Sequence, residues 1–148
     1  MVLFFGLALG LGLFGTGCLE KTLLPRAEIH ISKVEPADFV ASTTTALSQV
    51  TITCALENKI YANPVSYSVS YRTNTGQALT SVRLPETPIH GRWESDSVTV
   101  VITPFSAQLL DLVKLTPSLI TPITATIRLT FRDANDNLIV KEVYCRLL

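Results

Sequence analysis

Charged side chains are absent from the first 18 positions of this chain, although the whole sequence carries twelve basic and twelve acidic residues. The formal net charge is therefore zero, and no run of Lys and Arg exists that would attract nucleic acid. Glycine is scarce after position 17, where only Gly76 and Gly91 remain of the seven. No phosphate-binding loop, nucleophile elbow or zinc-protease motif occurs. These absences exclude electrostatic binding of nucleic acid and leave no motif that indicates an enzyme.

Residues 1–17 have the composition of an export signal. An apolar centre over residues 2–14 is followed by three small residues and then Cys18. Secretory signals combine an apolar centre with small residues before the cleavage site. The usual basic start is missing, because the first Lys is Lys21; either the α-amino group supplies the charge or the true start lies upstream. An uncleaved membrane helix is disfavoured, since about 20 apolar residues are needed to span a bilayer and five glycines weaken this segment as a helix.

The end of this segment, Thr16-Gly17-Cys18, resembles the lipobox of bacterial lipoproteins, although Gly15 stands where that motif usually has Leu. The resemblance implies that Cys18 is the lipidated N-terminus of the mature chain, and that residues 18–26 form a tether reaching about 25 Å. It also implies a lipid-anchored protein of the cell envelope. Leu19 in the position after the cysteine favours the outer membrane, on its periplasmic or outer surface. The alternative is an incidental cysteine after an ordinary cleaved signal.

The remainder of the chain, residues 27–148, shows the period-two alternation of β-strands. Helical spacing of Leu109, Leu112 and Val113 predicts one short crossover helix over about residues 104–115, with Thr103 or Ser106 as its cap. Seven short strands with one such helix predict an all-β fold, an antiparallel β-sandwich. The predicted strands cover residues 28–34, 50–56, 65–72, 79–84, 97–103, 123–132 and 138–147, and the predicted connections include residues 39–48 and 57–64.

Two of the alternations assign side chains to faces. In the first predicted strand, Ile29, Ile31 and Lys33 share one face, and Val34 lies on the other. In the third, the row Val65, Tyr67, Val69 and Tyr71 shares one face, and the sequence leaves open whether that face is the core. Pro85 and Pro88 are expected to break the chain after the fourth strand.

The last two strands, with the turn over residues 133–137, resemble the closing hairpin of immunoglobulin-like and fibronectin-III-like domains in bacterial envelope proteins. The segment that carries the likeness runs from Thr126 to Ile139. The resemblance implies an immunoglobulin-like arrangement for the sandwich over residues 27–148.

Three cysteines are present, and lipidation of Cys18 would leave Cys54 and Cys145 as a pair in an exported domain. Each of the two lies on the apolar face of a predicted strand. We predict a disulfide between them, which closes a loop of about 90 residues and contributes at most about 4–5 kcal/mol. Two buried free thiols are the alternative.

The sequence Asp133-x-Asn135-x-Asn137 matches the opening of a calcium loop, but Leu138 and Tyr144 stand where that loop needs Gly and Glu. A plain hairpin turn is therefore favoured.

The two histidines, His30 and His90, are isolated from each other and from the cysteines in the sequence. Metal-binding sequences normally place His and Cys at short, recognisable spacings. We therefore predict no metal site and no cofactor.

Acidic residues, including Glu94 and Asp96, surround Trp93, so this region is a weak candidate for a ligand surface, such as an aromatic platform for carbohydrate. The alternative is a core or edge tryptophan beside a solvated acidic loop.

The sequence thus favours a membrane-anchored lipoprotein that acts as a non-enzymatic binding or scaffolding module, with membrane lipid, an envelope protein or a glycan as partner. Two other hypotheses stay open. One is a small envelope enzyme or carbohydrate-binding protein that uses the Trp93 region. The other is an accessory subunit of an envelope assembly.

Overall fold

The computed structural model describes residues 24–89, 96–116 and 121–148. Within these ranges one helix, α1 (Ala107–Leu115), lies between strands six and seven, and a single 3₁₀ turn covers Thr80–Val82. The predicted signal over residues 1–17 and Cys18 lie outside the described residues. The strands are β1 (Ile29–Glu35), β2 (Asp38–Phe39), β3 (Val50–Leu56), β4 (Ala62–Arg72), β5 (Leu84–Pro88), β6 (Ser97–Ile102), β7 (Ile123–Asp133) and β8 (Leu138–Leu147).

These strands form two sheets that pack face to face. One sheet has three antiparallel strands in the order β1-β3-β6, and the other has five in the order β2-β8-β7-β4-β5. The chain crosses from the small sheet to the large one three times: between β1 and β2, between β3 and β4, and through α1. This arrangement is an immunoglobulin-like β-sandwich, so the predicted fold with one crossover helix is confirmed. It differs from the prediction in having a short eighth strand, β2, which runs parallel to β8.

Strand β7 lies at the centre of the large sheet and pairs with β4 on one side and β8 on the other. Its inward residues from Ile123 to Phe131 are apolar and at most 1% exposed, whereas its outward residues are Thr and Arg. Period-two alternation therefore gives this strand one core face and one solvent face. The inward residues are Ile123, Ala125, Ile127, Leu129 and Phe131.

A β-bulge in β1 changes the faces that the alternation predicted. The pairing of β1 with β3 skips Ser32, whose hydroxyl donates to the carbonyl oxygen of Thr53 at 3.1 Å. The extra residue reverses the alternation beyond it. The predicted faces of Lys33 and Val34 are therefore wrong, because Lys33 is exposed and Val34 packs against the core.

A second bulge interrupts β4, where the pairing with β7 skips Val65. Tyr67, Val69 and Tyr71 face the core, which settles the orientation that the sequence left open. Val65 does not belong to their row, because the bulge separates it from the regular alternation that follows.

The chain between β3 and β6 departs most from the prediction. The loop predicted to continue to Pro64 ends at Tyr61, because Ala62 already pairs with β7. In place of the strand predicted over residues 79–84, a 3₁₀ turn is followed by β5, which runs through Pro85 to Pro88. Proline is tolerated there because β5 is an edge strand and needs ladder hydrogen bonds on one side only.

Strand β2 lies where a connection was predicted to begin. Phe39 is buried, and its ring meets that of Phe105 edge to face at 5.0 Å. Beside it, the guanidinium of Arg146 donates two hydrogen bonds to the carboxylate of Asp38, at 2.8 and 2.9 Å. These bonds hold the pKa of Asp38 below its ordinary value.

The helix α1 begins later than predicted, after Ser106. The hydroxyl of Ser106 accepts a hydrogen bond from the backbone N–H of Leu109 and donates one to the carbonyl of Val82, each at 3.1 Å. It is therefore the N-cap, one of the two predicted. The buried hydroxyl of Tyr71 donates to the carbonyl of Pro104 at 2.9 Å, which fixes the chain as it leaves β6.

The first described residues are fastened to the sandwich by side chains of two turns. The carboxylate of Asp133 accepts from the backbone N–H of Ala27 at 3.1 Å, and the amide group of Asn135 donates to the carbonyl of Pro25 at 2.8 Å. Asn58 donates to the carbonyl of Arg26 at 2.7 Å. The last two residues of the predicted tether are therefore bound to the body of the domain.

Asp133 is buried and is the central acceptor of these hydrogen bonds, which we call the clamp. Burial alone would raise its pKa, but hydrogen bonds from Asn137, Ala27 and Asn135 outweigh it and lower the pKa below 3.8. Since the folded pKa lies below the unfolded one, the carboxylate stabilises the fold above about pH 4 and loses that effect as the pH falls through the folded pKa.

We predict that Asp133→Asn lowers the free energy of unfolding by about 2 kcal/mol at pH 7, because an amide replaces an acceptor-only carboxylate among N–H donors. Urea unfolding of the full chain in mild detergent measures the change. The difference from the wild type should shrink as the pH falls from about 4 through the lowered pKa of the folded state, because the wild-type carboxylate becomes protonated there.

Asp136→Asn is the matched control in the same turn. Asp136 has a positive φ of 64°, which Asn accepts, and its ion pair with Arg132 is exposed, so little change is expected. Equal effects of the two substitutions, or a pH-independent effect at Asp133, would contradict the clamp.

Candidate functional site

Of the three residues predicted to form a ligand surface, only Asp96 lies in the described part of the chain. Trp93 and Glu94 lie outside the described residues. Asp96 is exposed just before β6, and its backbone carbonyl accepts from the N–H of Leu56 at 2.8 Å. A carbohydrate platform around Trp93 therefore stays a prediction.

Cys54 and Cys145 lie on the inward faces of opposite sheets, in β3 and β8. Both are buried free thiols, so the predicted disulfide is not present in the structure. Burial raises the pKa of Cys54 to about 11. Burial, with a smaller contribution from the charge of Asp38, raises the pKa of Cys145 to about 12. Both thiols are therefore protonated at neutral pH and are poor nucleophiles.

The predicted hairpin turn between β7 and β8 is confirmed. The carboxylate of Asp133 accepts from the backbone N–H groups of Asn135 and Asn137, at 2.9 and 2.8 Å, and so organises the turn. His30 is exposed on β1, whereas His90 lies outside the described residues. Across residues 24–89, 96–116 and 121–148, no three His, Cys, Asp or Glu side chains are grouped so that they could hold a metal.

The most distinctive surface is the outward face of the large sheet. There the central strands, β4 and β7, carry Ser and Thr side chains together with Arg72 and Arg128, whereas the flanking β8 carries Glu142 and Tyr144. The Ser and Thr side chains form the floor of a groove that longer side chains border. We call this groove the hydroxyl trough and define its floor by Ser68, Ser70, Thr124 and Thr126.

The strand register brings the trough together from three distant parts of the sequence. One row across the sheet is Ser68, Arg128 and Glu142. The next row is Ser70, Thr126 and Tyr144. Neighbours across an antiparallel pair lie about 5 Å apart, so each row forms a contiguous strip of side chains.

Two depressions make up the trough. The first, of about 450 Å³, also reaches Arg83 and Glu86 on the β5 side. The second, of about 520 Å³, reaches Arg72 and Tyr144 at the far end. Both include Ser70, Thr126 and Glu142, so they form one continuous groove along the strands.

The carboxylates of the trough already have hydrogen-bond donors. Ser66 donates its hydroxyl to Glu86, and Tyr144 donates its hydroxyl to Glu142 at 3.2 Å. This bond and the charge of Glu142 raise the pKa of Tyr144, so the phenol stays protonated at neutral pH. The 57% exposure of Tyr144 leaves much of its side chain open to solvent.

The arginines of the trough differ from its carboxylates. Arg72, Arg83 and Arg128 are exposed, and within the described part of the chain their guanidinium groups make no hydrogen bond or ion pair. Elsewhere on the same sheet, Arg146 and Arg132 each pair with an aspartate. The trough therefore presents cationic donors above a floor of hydroxyl groups, and no described residue pairs with them.

Sequence reasoning did not find this surface. The rows of Ser in β4 and Thr in β7 were visible as the polar half of each alternation. Their union depends on the pairing of β4 with β7, which are about 50 residues apart in sequence. A period-two row of small hydroxyl residues interspersed with Arg is the one signal that could have suggested it.

Comparisons with known proteins give no family. No protein-family model matches the chain, and a search of curated proteins also gives no match. Among solved structures, the chain is similar to murine CRIg, with 11% identity and a TM-score of 0.38, over 81% of this chain and 96% of that one. Nothing about function follows from this likeness. Among the described residues, no helix is long and apolar enough to span a bilayer.

Proposed function

We propose that this chain is a lipid-anchored, non-enzymatic binding protein of the bacterial cell envelope, and that the hydroxyl trough is its binding surface. The observation that carries the proposal is the continuous groove of two depressions with three arginines that have no partner among the described residues. Exposed groups without internal partners can form hydrogen bonds to a ligand without first breaking bonds within the protein.

The fastening of Pro25 supports an anchor close to the body of the domain. If Cys18 carries lipid, the chain between Cys18 and Pro25 spans at most about 25 Å. The turn that holds Pro25, at the β7–β8 end of the sandwich, would then face the membrane. Thr124 lies about 30 Å further along β7 from Asp133, so the Arg72 end of the trough would point away from the lipid.

Leu19 follows Cys18, and by the likeness to bacterial lipoproteins this residue favours the outer membrane, which we include in the proposal. The partner is an envelope glycan or an envelope protein. A role as accessory subunit of an envelope assembly is the second candidate, and it would use the same exposed face of the sheet.

The anchor is tested by metabolic labelling with palmitate in a bacterial host. Wild-type chain should take up label, and Cys18→Ala should not, because the thiol that would be acylated is gone. Cys54→Ala is the control and should label as the wild type does. Label that persists in Cys18→Ala would overturn the lipid anchor.

A disulfide between Cys54 and Cys145 is also part of the proposal, because both buried thiols lie on facing sheets of an exported domain. Its formation releases two protons and passes two electrons to a disulfide-bearing oxidase of the envelope. Thiols are counted after the exported chain is unfolded without reductant. We expect no free thiol beyond any unlipidated Cys18, and two additional thiols would remove the bridge.

The binding surface is tested by a photo-crosslinking amino acid placed at Ser70, in the trough, or at Thr99, exposed on the outward face of the small sheet. Irradiation of intact cells should give a discrete adduct from position 70 and none of the same mass from position 99. Identical adducts from the two positions, or none from position 70, would contradict a binding role for the trough.

A further inference from the structure

We infer that the hydroxyl trough binds an anionic glycan, an oligosaccharide that carries carboxylate groups. This inference rests on the proposed function and names the ligand class of the same surface. It follows from the floor, the arginines, the tyrosine and the position of the trough on the sheet.

The floor matches the hydroxyl groups of a sugar chain. Each of Ser68, Ser70, Thr124 and Thr126 has a hydroxyl that can donate one hydrogen bond and accept others. Sugar hydroxyls have the same dual capacity, so the pairs can form in either direction. A groove two depressions long suits a chain of several sugar units rather than a single one.

The arginines supply the preference for negative charge. Arg128 lies beside Ser68 and Glu142 at one end of the trough, Arg72 lies at the other end, and Arg83 lies on the β5 side. A guanidinium presents a planar fork that can bind both oxygens of one carboxylate. The two glutamates of the trough leave a surplus of one positive charge, and each already accepts a hydroxyl donor.

The exposed Tyr144 supplies an apolar surface at the end where Arg72 lies. An aromatic ring with a polar tip suits a ligand whose face is apolar and whose rim carries hydroxyl groups, as a sugar ring does. The hydrogen bond to Glu142 restrains the phenol, so less side-chain freedom is lost when a sugar packs on it.

The position of the trough argues against an extended peptide. Strand β4 pairs with β5 and β7, and β7 pairs with β4 and β8, so the backbone beneath the trough is already engaged in the sheet. Peptides that add to a sheet need a free strand edge. The floor is also composed of hydroxyl groups, whereas interface anchors fill well-packed apolar pockets.

The test uses the full chain in detergent micelles and a hexamer of galacturonic acid as the probe. Its fully methyl-esterified form is the matched ligand, because esterification removes the charge and keeps the sugar. Calorimetric titration should show binding of the acid form at least about tenfold tighter than that of the ester, weakening as salt increases.

Substitutions of single arginines test where on the sheet the acid hexamer binds. Arg128→Gln should weaken binding of the acid hexamer about tenfold, and Arg128→Lys should retain part of it, since the charge remains and the fork is lost. Arg132→Gln is the control, because Arg132 lies on the same strand and face but outside both depressions and pairs with Asp136. Circular dichroism confirms that each variant is folded.

Equal binding of acid and ester, equal effects of the Arg128 and Arg132 substitutions, or tighter binding of a glutamate hexapeptide would each overturn the inference. If the position-70 crosslinker captures a partner while the acid hexamer does not bind, the glycan assignment fails and the binding role stands. If that crosslinker captures nothing and the hexamer does not bind, both fail.

Discussion

The pairing of β7 with β4 and β8 is the constraint on which the rest of the structure depends. The inward apolar side chains of β7 are among the least exposed in the domain, and its outward Thr124 and Thr126 form part of the floor of the trough. Because side chains alternate with a period of two, a register slip of one residue would place Thr and Arg in the core and Ile in the groove. The same strand register therefore buries Ile127 and exposes Arg128. The pairing that stabilises the core thus also fixes the geometry of the candidate site.

The two ends of this strand have different roles. At one end, Asp133 collects hydrogen bonds from the closing turn and from the start of the domain, which fixes where the chain leaves the sandwich. At the other end, Thr124 lies between Arg72 and Arg146 across the sheet. If Cys18 carries the proposed lipid, the Asp133 end of β7 is the end held near the membrane, and the Arg72 end of the trough is the more distant one.

Strong alternation made β3, β7 and β8 readable from the sequence, as helical spacing and a serine cap did for α1. The bulges at Ser32 and Val65 were missed because an extra residue leaves no mark on composition, and it reverses every face that follows. Strand β5 was missed because its prolines read as breakers, although an edge accepts them. The trough was missed for a different reason, since it exists only where distant strands pair.

Chemical-shift mapping tests the central claim most directly, namely that the outward face of the large sheet is the binding surface. The ¹⁵N-labelled full chain in micelles is titrated with the galacturonic acid hexamer, and backbone amide shifts are followed residue by residue. The account predicts the largest shifts at Ser70, Thr126 and Tyr144, with Thr53 and Thr99 of the small sheet unmoved. Largest shifts on the small sheet, or uniform small shifts across both sheets, would contradict it.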